Sequence, residues 1–270
     1  MDKLGKLGVV GGGVMGAALI KGVIKGGLLP AEEIYLVETD PLKLSRLRTE
    51  YGIGAKDSLA ALALECRVII IAVKPSVVPV VFKELGPKLD KNHLALSIAA
   101  GVSLASLEGL APKARFVRVM PNTPARIGKG ISAYSLGSFA TAQDKEITEA
   151  IFGCLGKVLE TPESQLHVIT ALSGSGPAYV YYFIEALIDA GVMLGLNREV
   201  AAQLVTETFA GSAELLKITG EHPAKLRNDV TSAGGTTAAG LFELEKGAVT
   251  GALMKAIVAA TERSKQLAER

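Results

Sequence analysis

Short apolar runs alternate with longer segments of helical character through the first 160 residues of the chain. Residues 68–73 are apolar at every position, which is typical of a strand that is buried on both faces. We predict strands at residues 6–10, 34–37, 53–55, 68–73, 94–99, 115–120, 131–135 and 157–160. Strands that alternate with helices in this way predict an α/β fold built on a doubly wound parallel sheet.

Helical segments first separate these strands and later replace them. Helices are predicted between the strands at residues 14–26, 41–51, 58–65 and 142–155. Asp40 suits the N-cap of the second helix, and Pro41 suits its first helical position. Beyond Pro162 the strand patterns end, and helices are predicted at residues 177–194, 198–219, 237–246 and 249–268. We therefore predict a first domain at residues 1–162 and an all-α second domain at residues 163–270.

The charge balance and the apolar runs limit the possible partners. Lys and Arg number 29 and Asp and Glu number 27, without basic clusters, which argues against nucleic acid or an acidic membrane surface as a partner. No apolar stretch reaches the roughly 18 residues of a membrane-spanning helix. Residues 1–5 lead directly into the first strand without the layout of a signal peptide. Cys66 and Cys154 lack the spacing of a metal or disulfide motif, which favours a reducing, cytoplasmic location.

The first candidate site is a glycine-rich turn between the first strand and the first helix. Gly11, Gly13 and Gly16 fit the pattern G-x-G-x-x-G, in which Val14 and Met15 separate the last two glycines. Glycines let the backbone approach a pyrophosphate, and the helix N-terminus offers N–H groups to it. We predict that this turn binds NADH or NADPH. The alternative is a tight strand-to-helix turn without a ligand.

Glu38 follows the second strand and is the candidate for contact with the adenosine ribose. A carboxylate at this place accepts hydrogen bonds from both ribose hydroxyls and repels a 2′-phosphate, which favours NADH. Thr39, Lys43 and Arg46 follow closely and are able to accommodate a phosphate, so NADPH stays open. The alternative role for Glu38 is that of a solvated acid at a strand end.

Two further loops follow predicted strands of the same sheet. Ligands bind outside the carboxyl ends of strands in open α/β sheets. We therefore expect one loop to border the cofactor and the other to face its nicotinamide. The residues concerned are Ala72, Val73, Lys74 and Pro75 in the first loop and Asn122 in the second. Lys74 as a solvated cap of the strand and Asn122 as a brace of its turn are the alternatives.

The helical half contains two turns that are rich in glycine and hydroxyl groups. Residues 173–179 read SGSGPAY, which suits either close helix packing or contact with a ligand. Residues 230–237 read VTSAGGTT and precede a predicted helix. Backbone N–H groups and hydroxyls converge on an anion in such a turn, so it predicts a carboxylate site. An ordinary helix cap by Ser or Thr is the alternative.

Together these motifs resemble the Δ1-pyrroline-5-carboxylate reductase family over nearly the whole chain. They are GGGVMG at 11–16, AVKP at 72–75, MPNTP at 120–124, SGSGPAY at 173–179 and HPAKLRNDVTSAGGTTAAGLFELE at 222–245. The last motif is the most specific, and it departs from the family at Ala233, where proline is typical. The resemblance implies an N-terminal Rossmann domain and a C-terminal all-α dimerisation domain. It also implies interlocked helices of two subunits, with a decamer as a possible further assembly of the homodimers.

The resemblance further implies the activity and the substrate site. The family reduces 1-pyrroline-5-carboxylate to L-proline, the last step of proline biosynthesis, by transferring a hydride from NADH or NADPH to the C=N carbon. By analogy, Thr237 places its hydroxyl beside the ring nitrogen as the catalytic residue that orients the ring or relays a proton. The substrate carboxylate would bind at Ser232, Gly234, Gly235 and Thr236. No metal site is expected, because none of the three histidines has metal-ligand spacing.

Two other functions fit parts of the sequence. A β-hydroxyacid or 6-phosphogluconate-type dehydrogenase also joins a Rossmann domain to a helical domain. That class carries a catalytic lysine four residues after a similar glycine turn, and counting from Gly176 the position here is Val180. Alcohol oxidation needs a base, whereas imine reduction does not. A non-catalytic dinucleotide sensor would share the first domain, but it has no need of a second anion site at 231–237.

Overall fold

The computed structural model of the protein describes residues 4–268. The prediction that no signal peptide is present concerns residues 1–5, of which the first three lie outside the described residues, as do residues 269 and 270 of the second predicted domain. The strands are β1 (Leu7–Val10), β2 (Ile34–Val37), β3 (Gly54–Ala55), β4 (Val68–Ile71), β5 (Leu94–Ser97), β6 (Arg115–Met120), β7 (Gly130–Leu136) and β8 (Gly156–Glu160). The α-helices are α1 (Val14–Lys25), α2 (Pro41–Tyr51), α3 (Leu59–Glu65), α4 (Val78–Leu85), α5 (Leu104–Leu110), α6 (Ala142–Gly153), α7 (Leu166–Ile169), α8 (Gly176–Met193), α9 (Arg198–Thr219), α10 (Pro223–Asp229), α11 (Thr236–Lys246) and α12 (Val249–Ala268).

The strands form one sheet in the order β3-β2-β1-β4-β5-β6-β7-β8. Strands β1 to β6 are mutually parallel, and their order of 3-2-1-4-5-6 is that of a Rossmann fold. This confirms the predicted α/β fold with a doubly wound sheet. Strand β7 is antiparallel to β6, and β8 is parallel to β7. The reversal follows from the short connection at residues 121–129, because a parallel return needs a crossover of a dozen or more residues.

The buried strands divide their side chains between the two faces of the sheet. On β4, Val68 and Ile70 join one core cluster, whereas Ile69 and Ile71 join the other. Helices α1 and α6 contribute to the first cluster, and α3, α4 and α5 contribute to the second. Strand β4 is therefore covered on both faces, as its unbroken apolar run predicts. It ends at Ile71, two residues before the predicted end.

The side-chain cap that the sequence predicted at Asp40 is present. The Asp40 carboxylate accepts hydrogen bonds from the backbone N–H groups of Leu42 and Lys43, at 3.0 and 3.2 Å. Ser58 was predicted as the first residue of the third helix, but it is instead the N-cap of α3. Helices α4, α5 and α10 were not indicated by the sequence pattern. They are only seven or eight residues long, and α4 and α10 carry proline in their first turn.

The chain divides into two compact units. The first comprises residues 4–175 together with 260–268, and the second comprises residues 176–259. Residues 163–175 thus belong to the compact unit that contains the sheet. The domain boundary predicted after residue 162, where the strand patterns end, stays a prediction. No helix within residues 4–268 combines the length and the apolar character that a membrane crossing needs.

The second unit buries almost none of its apolar side chains. Ala201 is the only fully buried residue among residues 176–259 of the chain. Nine of the large apolar side chains there are more than 60% exposed, and these are Tyr181, Tyr182, Met193, Leu194, Ile218, Val230, Phe242, Met254 and Val258. Exposed apolar surface on this scale marks a surface that another molecule covers. The helices of this unit consequently need contacts beyond those that they make with one another.

An ion pair between a buried arginine and a partly exposed glutamate connects the sheet to the segment that follows it. Arg118 on β6 is 4% exposed, and its Nη1 donates to Oε1 of Glu163 at 2.8 Å. The same carboxylate oxygen accepts a hydrogen bond from the backbone N–H of Leu104, the first residue of α5, at 2.7 Å. Glu163 therefore neutralises a charge inside the sheet and satisfies a helix N-terminus at the same time.

Removing the two partners of this ion pair should have unequal effects on stability. Glu163→Ala leaves the buried Arg118 charge without a partner, so we expect the free energy of unfolding to fall by about 3 kcal/mol. Arg118→Met should cost less than about 1.5 kcal/mol, because Glu163 is partly exposed and keeps its bond to Leu104. Chemical denaturation of both variants and of the double variant measures this asymmetry. Equal losses for the two single variants would contradict it.

Candidate active site

Two glycines of the turn between β1 and α1 occupy places that exclude any side chain. Gly11 has a φ of +97°, and a Cβ atom there would lie 2.7 Å from the carbonyl oxygen of Ala72. A Cβ atom at Gly16 would lie 2.1 Å from the carbonyl oxygen of Gly11. The first glycine thus permits the tight turn, and the last permits the close packing of helix on strand that this motif requires.

Gly13, the middle glycine of the motif, faces open space. A Cβ atom there would have no heavy atom within 4 Å outside its immediate chain neighbours. Gly13 is also the N-cap of α1 and has no side chain to accept from the first-turn N–H groups, which begin at Val14 and Met15. Open space, uncapped N–H groups and the positive end of the helix dipole fit a pyrophosphate. The turn therefore fits a dinucleotide at each of its three motif glycines.

The loop after β4 lies against this glycine turn. The backbone N–H of Ala72 donates to the carbonyl oxygen of Val10 at 2.8 Å. A Cβ atom at Gly11 would lie 3.0 Å from Cγ1 of Val73. Lys74 is exposed and lies at the N-cap position of the short 3₁₀ turn that begins at Pro75, without a capping bond from its side chain. The predicted loop is thus at the carboxyl ends of β1 and β4, where its first two residues contact the turn.

Two backbone N–H groups hold the Glu38 carboxylate beside the same turn. Its Oε2 accepts from Gly12 at 2.7 Å, and its Oε1 accepts from Asp40 at 2.9 Å. Burial alone would raise the pKa of Glu38, but these hydrogen bonds and the charge of Lys43 outweigh it and lower that pKa below its ordinary value. Glu38 is therefore ionised at neutral pH. The sequence did not indicate its bond to Gly12, which joins residues that are 26 positions apart.

Asn122 braces the loop in which it lies. Its Oδ1 accepts a hydrogen bond from the backbone N–H of Ile131 at 3.0 Å, across the connection from β6 to β7. The bracing role left open by the sequence is therefore present, and it orients the amide nitrogen of Asn122. Next to this loop, residues Thr170–Gly174 form a π-helical turn, in which a Cβ atom at Gly174 would lie 2.4 Å from Cε of Met120. Such turns are frequent at functional sites.

The hydroxyl-rich turn of the second unit begins α11 without a side-chain cap. Gly235 is the N-cap residue, and no side chain of the described residues caps it. A Cβ atom at Gly235 would lie 2.4 Å from Oγ of Ser232, and Gly234 has a φ of +66°. Thr236 and Thr237 form the first turn of the helix. An ordinary Ser or Thr cap is therefore not the reason for the hydroxyl groups in this turn.

The predicted site residues thus form two groups, each within its own compact unit. The first unit contains the turn at residues 11–16, with Glu38 and Ala72 in contact with it. The second unit contains the turn at residues 232–237. Both turns share an uncapped helix N-terminus that starts at glycine.

The histidines have structural partners. Nε2 of His93 lies 3.0 Å from the carbonyl oxygen of Ala63, and Nδ1 of His167 lies 3.0 Å from Oγ of Ser264. His222 caps α10 through its Nδ1. Burial raises the pKa of the Cys66 thiol to about 12, so this residue is a packing group rather than a nucleophile. Among residues 4–268 no cluster of three or more potential metal ligands is present.

Comparisons with known proteins match both halves of the chain. The family model for pyrroline-5-carboxylate reductase dimerisation matches residues 163–267, and that for NADP oxidoreductase, coenzyme F420-dependent, matches residues 6–101. Pyrroline-5-carboxylate reductase of Arabidopsis thaliana is 42% identical over 264 residues, which cover 98% of this chain and 96% of that protein. The solved structure of Plasmodium falciparum pyrroline carboxylate reductase with NADP bound is 35% identical, covers 98% of both chains and has a TM-score of 0.88. That of Coxiella burnetii pyrroline-5-carboxylate reductase is 33% identical, covers 98% of both chains and has a TM-score of 0.91.

Gly13→Ala should separate dinucleotide binding from folding. The new methyl group would enter the open space above the turn, so we expect the Kd of NADH and NADPH to rise at least about tenfold. The free energy of unfolding should change by less than about 1 kcal/mol, because nothing in the protein meets that methyl group. Titration calorimetry and chemical denaturation measure the two effects. Gly153→Ala in α6, another site with open space, is the matched control. Unchanged dinucleotide affinity would mean that the pyrophosphate does not lie over Gly13.

Proposed function

The chain belongs to the pyrroline-5-carboxylate reductase family, and on that premise we propose that it reduces 1-pyrroline-5-carboxylate to L-proline with NADH or NADPH. The observation that carries this proposal is the uncapped start of α11 at Gly235, where hydroxyl groups of Ser232, Thr236 and Thr237 are grouped. A dinucleotide-binding protein without a second ligand has no use for this turn. A small substrate with a carboxylate does.

A nicotinamide dinucleotide bound at the glycine turn supplies the hydride that the C=N carbon accepts. The first-turn N–H groups of α1, from Val14 onward, hold its pyrophosphate, since Gly13 leaves both the groups and the space free. Ala72 and Val73 border the turn, with Lys74 and Pro75 following at the exposed side. The amide nitrogen of Asn122 is the group left to contact the nicotinamide, because the amide oxygen already accepts a hydrogen bond from the backbone N–H of Ile131.

The turn at 232–237 holds the substrate by its carboxylate. The N–H groups at the start of α11 and the Ser232 and Thr236 hydroxyls are donors suited to an anion, and Gly234 and Gly235 keep the backbone accessible. Thr237 orients the ring nitrogen and relays a proton from water, since a hydroxyl is too weak an acid to deliver one alone. An iminium carbon is already electrophilic, so positioning is the main contribution, which reaches about 7–11 kcal/mol in favourable cases.

The sequence at α8 separates this function from that of a hydroxyacid dehydrogenase. Oxidation of an alcohol needs a side chain that accepts the hydroxyl proton. The equivalent position is Val180, which is apolar and 43% exposed. Reduction of an imine needs no such base. The chemistry of α8 therefore supports imine reduction over alcohol oxidation.

A homodimer is part of the proposal. The helices of residues 176–259 leave large apolar side chains uncovered, and a second copy of the same unit is the partner that covers them. The proposal also includes a cytoplasmic location and the association of dimers into a decamer. It further assigns separate roles to the two predicted domains. The first, residues 1–162, binds the dinucleotide, and the second, residues 163–270, supplies the substrate turn and the dimer contact.

Steady-state reduction of 1-pyrroline-5-carboxylate tests the proposal together with one variant. The purified protein should consume NADH or NADPH only when the imine is present and should form proline. Thr237→Ala should lower kcat by about 10²-fold while leaving the Kd of the dinucleotide unchanged, and Thr237→Ser should keep most of the activity. Thr49→Ala, at an exposed threonine on α2, is the control. Unchanged turnover in Thr237→Ala would remove this residue from the mechanism, and the absence of imine-dependent turnover in the unaltered protein would refute the function.

A further inference from the structure

An open cleft lies beside the amino ends of strands β5 and β6, within the first compact unit. Its volume is about 490 Å³, which is within the range of roughly 300–1,000 Å³ of small-molecule sites. Its lining residues are Asp90, Lys91, Pro112, Lys113, Arg115 and Phe139. We propose that this cleft is a second ligand site, which binds a phosphate monoester of a flat aromatic group. This site is separate from the proposed reduction of the imine and does not depend on it.

The cleft and the glycine turn lie at opposite ends of the parallel strands. Lys91 precedes β5 and Lys113 precedes β6, whereas the turn at residues 11–16 follows β1. Phe139 follows β7 and still reaches the amino end of β6, because β7 runs antiparallel to β6. A ligand in the cleft therefore binds at the end of the sheet opposite to the one where the dinucleotide is proposed to bind.

Hydrogen bonds of the Arg115 side chain join the walls of the cleft. Its Nε donates to Oδ2 of the buried Asp144 at 2.9 Å, and its Nη1 donates to the carbonyl oxygen of Lys91. The same oxygen of Asp144 accepts from the backbone N–H and the hydroxyl of Thr141, at 2.8 and 2.9 Å. Thr141 is the N-cap of α6 and lies two residues after Phe139. The loop before β5, the start of β6 and the loop that carries Phe139 are therefore held together without a ligand.

Phe139 presents an aromatic ring to the cleft and to solvent. Its side chain is 61% exposed, and it makes no ring contact with another aromatic side chain of residues 4–268. The loop keeps it there, because the neighbouring Ser138 donates from its backbone N–H and its hydroxyl to the Glu108 carboxylate, at 2.6 and 3.0 Å. Pro112 adds a second apolar surface to the lining. Such surfaces suit a flat ring, which gains by stacking on an aromatic side chain.

Two lysines of the cleft carry positive charge that the protein does not neutralise. Arg115 is already paired across the wall, and the acid of the lining, Asp90, has Nη1 of Arg67 at 4.0 Å from its Oδ1. The ammonium groups of Lys91 and Lys113 have no ion pair or hydrogen bond within residues 4–268. A phosphate monoester carries a charge of about −1.5 to −2 at neutral pH and three acceptor oxygens. It therefore matches two free ammonium groups better than a carboxylate, which has a single charge.

Titration calorimetry with naphthyl phosphate tests the proposal on the full chain, in the absence of imine and dinucleotide. One molecule of this probe should bind per chain. Naphthol lacks the charged group and inorganic phosphate lacks the ring, so each should bind at least about tenfold more weakly. Gly13→Ala should bind the probe as tightly as the unaltered protein, because the change lies at the other end of the strands. Saturating NADH should not displace the probe for the same reason.

Lysine variants and a matched control locate the bound probe. Lys91→Met and Lys113→Met should each raise the Kd of naphthyl phosphate at least about threefold, and the double variant at least about tenfold, because each removes one ammonium group. Lys157→Met on β8 should leave the Kd unchanged, since this exposed lysine is outside the cleft. All three lysines are exposed, so the fold should tolerate these changes. Absence of binding, equal affinity for inorganic phosphate, displacement by NADH or full affinity in the double variant would overturn the proposal.

Discussion

The close approach of Gly16 to the carbonyl oxygen of Gly11 is the constraint on which the candidate dinucleotide site depends. It brings the start of α1 against the end of β1, at the point where the strand order changes direction between β1 and β4. Any side chain at Gly16 would push the helix away from the strands. The uncapped N–H groups, the contact with Ala72 and the bond from Gly12 to Glu38 all lie at this same turn.

The helical unit presents the opposite situation, since its own contacts do not provide a core. With Ala201 alone fully buried between residues 176 and 259, the helices gain little stability from burying one another's side chains. Helix α11, whose N-cap Gly235 lies in the proposed substrate turn, belongs to this unit. In the proposed dimer the second copy would complete the packing of these helices. Substrate binding would then depend on association, whereas dinucleotide binding would rest on a core within one chain.

The sequence predicted those features that depend on residues close together in the chain. Strands with unbroken apolar runs, such as β4, and helices with a side-chain cap, such as α2 at Asp40, lie where the pattern indicated. The direction of β7 was missed because it depends on the length of a connection and not on periodicity. In the same way, the glycine turn was visible as a motif, but the bond from Gly12 to Glu38 joins two strand ends and leaves no local signal.

Helix N-termini among the described residues differ in whether a side chain caps them. Helices α4 and α7 lack such a cap because each directly continues a 3₁₀ turn. Side-chain caps begin helices that serve the fold, and these caps are Asp40, Ser58, Ser103, Thr141, Asn197 and His222. The two helices at the candidate sites begin instead at Gly13 and Gly235, whose first-turn N–H groups receive no side-chain cap. A capped N-terminus is already satisfied, whereas an uncapped one keeps its donors for an anion. The chain thus forgoes a stabilising cap of typically about 1 kcal/mol at each place where a pyrophosphate or a carboxylate is proposed to bind.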